Sequence, residues 1–163
     1  MLTIRGGSPR YVVIAALLLA SPAAAAAQHP VITEGEVLRV ARSFREALAS
    51  GDSAAVLALL HDDAIIFETG RGETKQQYRR GHLRADIAYA TSVRSELVRD
   101  DVMLSGDVAI YTREYRSRGR FRDRDVDSVA AETMVLVRTE QGWKIRHIHW
   151  SSGRAGAAPG AAV

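Results

Sequence analysis

The sequence predicts an α+β domain, in which three N-terminal helices pack against one face of a curved, mostly antiparallel sheet. Three observations carry this reading. Apolar residues recur at helical spacing between Glu34 and Asp86, interrupted by a single short strand; two-residue alternation takes over from Thr91; and the chain shows no internal repeat and no second domain.

The elements follow in order. Val37, Ala41, Phe44 and Leu48 mark one face of a first helix over 34–49, with Thr33 and Glu36 at capping-box spacing and Ser50-Gly51 as its stop. Asp52 or Ser53 opens a second, short helix through Val56, Leu57, Leu59 and Leu60. Ala64-Ile65-Ile66-Phe67-Glu68 reads as a strand, and Thr69 to Gly72 as a loop. Thr74 then caps a third helix through Tyr78, His82 and Asp86, weakened by Gly81 in its interior. Strands are expected near 92–98, 108–118, 125–138 and 143–151. Ser105-Gly106-Asp107, Ser117 to Arg120 and Glu140-Gln141-Gly142 are the turn signals.

The ends of the chain speak to its compartment. Arg5 and Arg10 precede an apolar run from Tyr11 to Ala20, followed by Ser21-Pro22 and the alanines Ala23 to Ala27. That order is a secretory signal peptide over 1–27, and the run is too short for a membrane span of roughly 20 residues. The protein is therefore expected to be exported, periplasmic or secreted, without a stable membrane anchor after cleavage. The domain is expected over 28–152, and the Gly-, Ala- and Pro-rich residues 153–163 form a disordered tail.

Charge and composition exclude several classes. The chain carries +3, and residues 1–27 hold two arginines and no acids, so the remainder has 20 basic against 19 acidic residues, or +1. This is no nucleic-acid footprint, and Glu114, Asp123 and Asp125 interrupt the arginines of 113–124. With no cysteine there is neither a disulfide framework nor a thiol nucleophile. P-loop, dinucleotide, G-x-S-x-G and H-E-x-x-H motifs are absent, and nothing in the sequence calls for a cofactor.

The final strand is the most informative stretch. After Gly142, one parity carries Trp143, Ile145, His147 and His149, and the other carries Lys144, Arg146, Ile148 and Trp150. Aromatic and titratable groups on both faces suit a strand that packs on one side and lines a pocket on the other. Either parity fits the pocket, with a lean toward Arg146 and Trp150.

The order helix, "SGD", short helix, "HDDAIIFETG", helix and a meander ending in "GWKIRHIHWSS" resembles the nuclear transport factor 2-like superfamily, and within it the SnoaL-like proteins. The resemblance spans roughly 31–152. It implies a cone-shaped α+β barrel enclosing a pocket, and homodimers packed through the sheet. It also implies a small, largely apolar or carbonyl-bearing ligand, because relatives include ketosteroid isomerases, cyclases and dehydratases. Non-catalytic binding and association modules share the fold.

Aligned on ketosteroid isomerases, Asp62 to Glu68 places Glu68 at the general-base position, and Glu132 near the position of a second acid. The helix tyrosine of those enzymes is replaced by Phe44, which argues against steroid isomerisation by their mechanism. Glu68 shares a strand face with Ile66 and Ala64, where desolvation would suit it to acid–base work. A rim glutamate paired with Arg71 or Arg79 fits the sequence equally. Glu68, His82 and Glu132 are thus the catalytic candidates. Phe44, Tyr78, Asp86, Met134, Arg146, His147, His149 and Trp150 are the pocket candidates. Glu132 lies in an apolar strand and needs a partner, for which Arg113 or Arg146 is the obvious choice. No metal is expected. Should the fold converge them, His82, Asp86, His147 and His149 would offer mixed nitrogen and oxygen ligands.

Overall fold

The structure, a computed structural model, describes residues 33–156. The expected signal peptide and the last seven residues lie outside the described residues.

Helix α1 (Glu34–Ser50) buries Val37, Ala41, Phe44, Ala47 and Leu48 along one stripe, as its period requires. It ends at Gly51, whose φ of 80° is left-handed and whose N–H donates to the Ala47 and Leu48 carbonyls. Thr33 stands at the N-cap without a side-chain bond, so the expected capping box is missing there. It forms instead at Thr74 and Gln77, at the start of a later helix. Helix α2 (Ser53–Leu59) is capped by Asp52, whose carboxylate accepts from the Ala55 N–H at 2.9 Å.

Strand β1 (Leu60–Glu68) starts earlier than its apolar run suggests. The expected loop over 69–72 is mostly strand. Thr69 and Gly70 both have positive φ, 48° and 77°, making a two-residue turn into β2 (Arg71–Thr74) with Glu68 opposite Arg71. The third expected helix is two, α3 (Lys75–Arg80) and α4 (Leu83–Ser92), parted at Gly81. Four long strands follow: β3 (Val93–Ser105), β4 (Val108–Phe121), β5 (Arg124–Thr139) and β6 (Gly142–Arg154). The expected turn at Ser117–Arg120 lies inside β4, and the hairpin closes at Arg122-Asp123, both left-handed. Gly119 marks close packing, because a Cβ there would meet the Ser92 carbonyl oxygen at 2.9 Å. At the other end β6 runs past residue 152, and the Ala155 N–H donates to the Asp127 carbonyl at 3.0 Å.

The six strands form one sheet in the order β2-β1-β6-β5-β4-β3, antiparallel except for β1 beside β6. Helix α1 lies across its inner face. There Phe44 and Val37 join Tyr111, Met134, Leu136, Ile145 and Ile148 in a closed core.

One irregularity resolves the ambiguous parity of the last strand. Leu136 pairs with Ile145 but Val135 pairs with His147, so Arg146 is an extra residue, a β-bulge. Before it Trp143 and Ile145 point inward, and after it Ile148 and Trp150 do. Both faces read from the sequence are therefore half inner and half outer. Arg146 sits at the bulge, and His147 turns outward against Phe67, ring centroids 5.4 Å apart. Phe44→Ala, which empties the centre of this core, is expected to lower unfolding free energy by about 3–5 kcal/mol in a urea titration.

Candidate functional site

Where α1 and α4 diverge from β3, β4 and β5, the core opens into a cavity of about 960 Å³. Its lining is polar at both ends. Glu68, Thr69, Gly70, His82 and Asp86 make its acidic end, and Arg45, Arg113 and Glu132, beside Trp150, make its basic end.

The acidic end is built by the α3–α4 break. His82 holds the N-cap position of α4 and its Nδ1 lies 2.8 Å from the Glu73 carboxylate, which raises the imidazole above its ordinary value. One turn on, Asp86 faces inward, its backbone N–H bonded to the His82 carbonyl at 2.9 Å. Asp86 Oδ2 and the Tyr78 hydroxyl are both shut off from solvent, and neither has a hydrogen bond of ordinary geometry among the described residues. Burial pushes the Asp86 carboxyl up to about 6; the nearby Tyr78 hydroxyl pulls the other way, and Glu68 adds a further push upward. Tyr78 is buried and held far above the ordinary phenol range, first by burial and then by Asp86. A half-neutral carboxyl beside a neutral phenol can give or take a proton near pH 6–7.

The basic end gathers around Glu132, only 4% exposed on β5. The Trp150 indole Nε1 donates to Oε2 at 2.7 Å, and Arg45 Nη1 reaches Oε1 at 3.5 Å. The partner expected from the sequence, Arg113 or Arg146, is thus replaced by Arg45 from α1. Arg113 still lies in this end, 7% exposed, its guanidinium 4.1 Å from the centre of the Tyr115 ring. Its Nε has no acceptor, and burial followed by the Arg45 charge pulls its pKa below the ordinary value.

The structure sorts the remaining candidates. Glu68 shares the inner parity of Ala64 and Ile66 but lies past their covered stretch, exposed at the cavity rim rather than in a dry interior. Phe44 and Met134 are core, and Tyr78 is fully buried behind the lining, its hydroxyl close to Asp86. Trp150 lines the cavity, His149 borders its rim with an exposed side chain, and Arg146 and His147 do not reach it. His82 and Asp86 lie on the helical side while the two strand histidines face outward. Among the described residues no three His, Asp or Glu side chains converge to hold a metal ion. Arg45 and Tyr115 line the cavity without being among the candidates the sequence offers. Arg45 directly follows Phe44 at the edge of the buried stripe, and Tyr115 shares the inward parity of Tyr111 and Arg113.

Comparison with known proteins agrees with this architecture. The family model of the SnoaL-like domain matches residues 37–155. No curated protein matches the chain. A solved candidate ketosteroid isomerase from Shewanella frigidimarina is similar at 32% identity and a TM-score of 0.70, covering 72% of this chain and 96% of that one. A CaMKII hub from S. rosetta is similar at 24% identity and TM-score 0.66, over 77% of this chain and all of that one. A candidate dehydratase from Streptomyces avermitilis is similar at 20% identity and TM-score 0.64, over 74% and 96%. The last two speak for the fold alone. With its helices at the N-terminus, its six-stranded sheet and this matched span, the chain belongs to the SnoaL-like domain family of the nuclear transport factor 2-like superfamily.

Proposed function

We propose that this is an exported cavity protein that binds a small carbonyl-bearing molecule inside its cone and moves a proton with Asp86. One observation carries the reading: a carboxyl raised to about 6, set beside the buried Tyr78 hydroxyl, lines a cavity large enough for a small ligand. The centre of acid–base chemistry moves from Glu68 to Asp86. Glu68 remains at the mouth, where its charge helps raise Asp86, and His82 links the same mouth to solvent through Glu73. Glu132 is read as a positioning residue, since its oxygens are engaged by Trp150 and Arg45. Export rests on the leader-like residues 1–27.

A second, compatible reading concerns assembly. The register lines up Ile65, His147, Val135, Ile110 and Met103 as one row across β1, β6, β5, β4 and β3 on the outer face. Phe67 and Val129 add exposed apolar surface on the same side. Such a stripe favours a homodimer packed through the sheet.

Three outcomes check these readings. In deuterium oxide, small ketones and keto acids should exchange their α-protons in the presence of the protein. Asp86→Asn should slow this by about 100-fold or more while ligand affinity survives. Absence of exchange with any carbonyl compound, together with a ligand-induced rise in Tm, would leave a binding module only. The second outcome is a pH dependence. The folded state holds the Asp86 proton more tightly than the unfolded chain, so this group's stabilisation is full below about pH 4 and is lost as pH rises through about 6. Asp86→Asn should therefore have the higher Tm at about pH 8, with the difference vanishing near pH 4. Third, sedimentation equilibrium should give a dimer for the natural chain and a monomer for Val135→Glu.

A further inference from the structure

The basic end of the cavity holds a buried guanidinium without a bonded acceptor. Burying an arginine is expensive unless a counter-charge and hydrogen-bond acceptors meet it. Arg113 is more than nine-tenths buried, and among the described residues it makes no ion pair and its Nε bonds to nothing. Glu132 faces Arg113 in the β4–β5 register, but its oxygens bond Trp150 and Arg45 and it forms no ion pair with Arg113. Asp100 faces Arg113 in the β3–β4 register, but its carboxylate accepts from the Tyr111 hydroxyl at 3.4 Å instead. Arg45 adds a second positive charge, its guanidinium 5.5 Å from the centre of the Tyr111 ring. Two guanidiniums and two carboxylates, Glu132 and Asp100, surround the Tyr111 hydroxyl, yet neither carboxylate bonds Arg113, so its N–H edge lacks an acceptor in a partly dry space.

We propose that this end is a carboxylate-binding subsite, so that the ligand is a small organic monoanion whose carboxylate is held by Arg113 and Arg45. The inference rests on the reading of the same cavity given above and adds the substrate class: a keto acid or similar carbonyl-bearing carboxylate, anchored at the basic end with its exchangeable carbon toward Asp86. Stacking on Tyr115 fixes the plane of the Arg113 guanidinium and leaves its N–H edge free, the geometry that meets a carboxylate through two parallel bonds. A monoanion supplies the missing acceptor. A phosphate dianion would set a second negative charge against the Glu132 carboxylate, so phosphate is disfavoured at this position.

The test compares 4-oxopentanoate with its methyl ester, and inorganic phosphate as a second anion, by calorimetric titration of the full chain. The acid should bind at least 10-fold more tightly than the ester. Arg113→Met should erase that preference, and Arg113→Lys should restore part of it. If Arg113→Met does not fold, Arg45→Gln on the half-exposed side of α1 should reduce the preference instead. Equal binding of acid and ester, an acid preference that survives in the arginine variants, or phosphate binding as tight as the acid would overturn the subsite. Proton exchange on neutral ketones that Asp86→Asn abolishes, with no preference for acids, would sink the subsite alone. Asp86→Asn that binds the acid but still exchanges protons would instead sink the assignment of Asp86.

Discussion

Trp150 joins what would otherwise be two separate structures. Its ring lies 6.5 Å from both Phe44 and Tyr78, so it closes the apolar core from β6 against α1 and α3. Its indole N–H, donated to Glu132 at 2.7 Å, opens the polar floor of the cavity. An indole is suited to this border because most of its surface is apolar while one edge donates a hydrogen bond. The buried Glu132 oxygens meet their hydrogen-bond needs through such donors. The boundary between solid core and hollow interior therefore depends on one side chain facing both ways.

That side chain points inward only because of the Arg146 bulge. A regular strand that buried Trp143 and Ile145 would have turned Trp150 outward and His149 inward. The extra residue re-aims the last third of β6 and gives the strand its bend, the usual use of a bulge beside a site. Without it, the two histidines would face the cavity and the two-poled arrangement of charges would be lost.

This also explains what the sequence could and could not disclose. The stripe of α1, the Asp52 cap and the order of four long strands follow from local periodicity and turn chemistry, and these are legible residue by residue. The bulge is not local, since nothing in Lys144-Ile145-Arg146-His147 marks which residue is surplus until β5 is laid beside it. β2 is not legible because a four-residue edge strand has no alternation to read, and the sequence does not distinguish the Thr69-Gly70 turn from a longer loop. Asp86 emerged from its i, i+4 spacing to His82, whereas its isolation from water depends on the Gly81 break and the burial of Tyr78. Glu132 was recognised as needing a partner. The identity of that partner, 87 positions away on α1, was set by how the helix crosses the sheet.

Unsatisfied groups are rare inside folded proteins, and of the four found among the described residues only Trp143 Nε1 lies away from the cavity. Asp86 Oδ2, the Tyr78 hydroxyl and Arg113 Nε lack partners, whereas the neighbouring Ser117 and Ser95 hydroxyls find each other at 3.0 Å. A fold selected for stability alone would bond or replace such groups, because each one lowers the stability of the empty state. A carboxyl that resists ionising and a buried guanidinium without a bonded acceptor set a field within the hollow. A molecule with an anionic end and a proton-exchanging end would align with that field and relieve both deficits at once. The same groups that weaken the empty protein would then orient its ligand without further rearrangement, because their positions are already fixed by the Tyr115 stack and the α4 backbone.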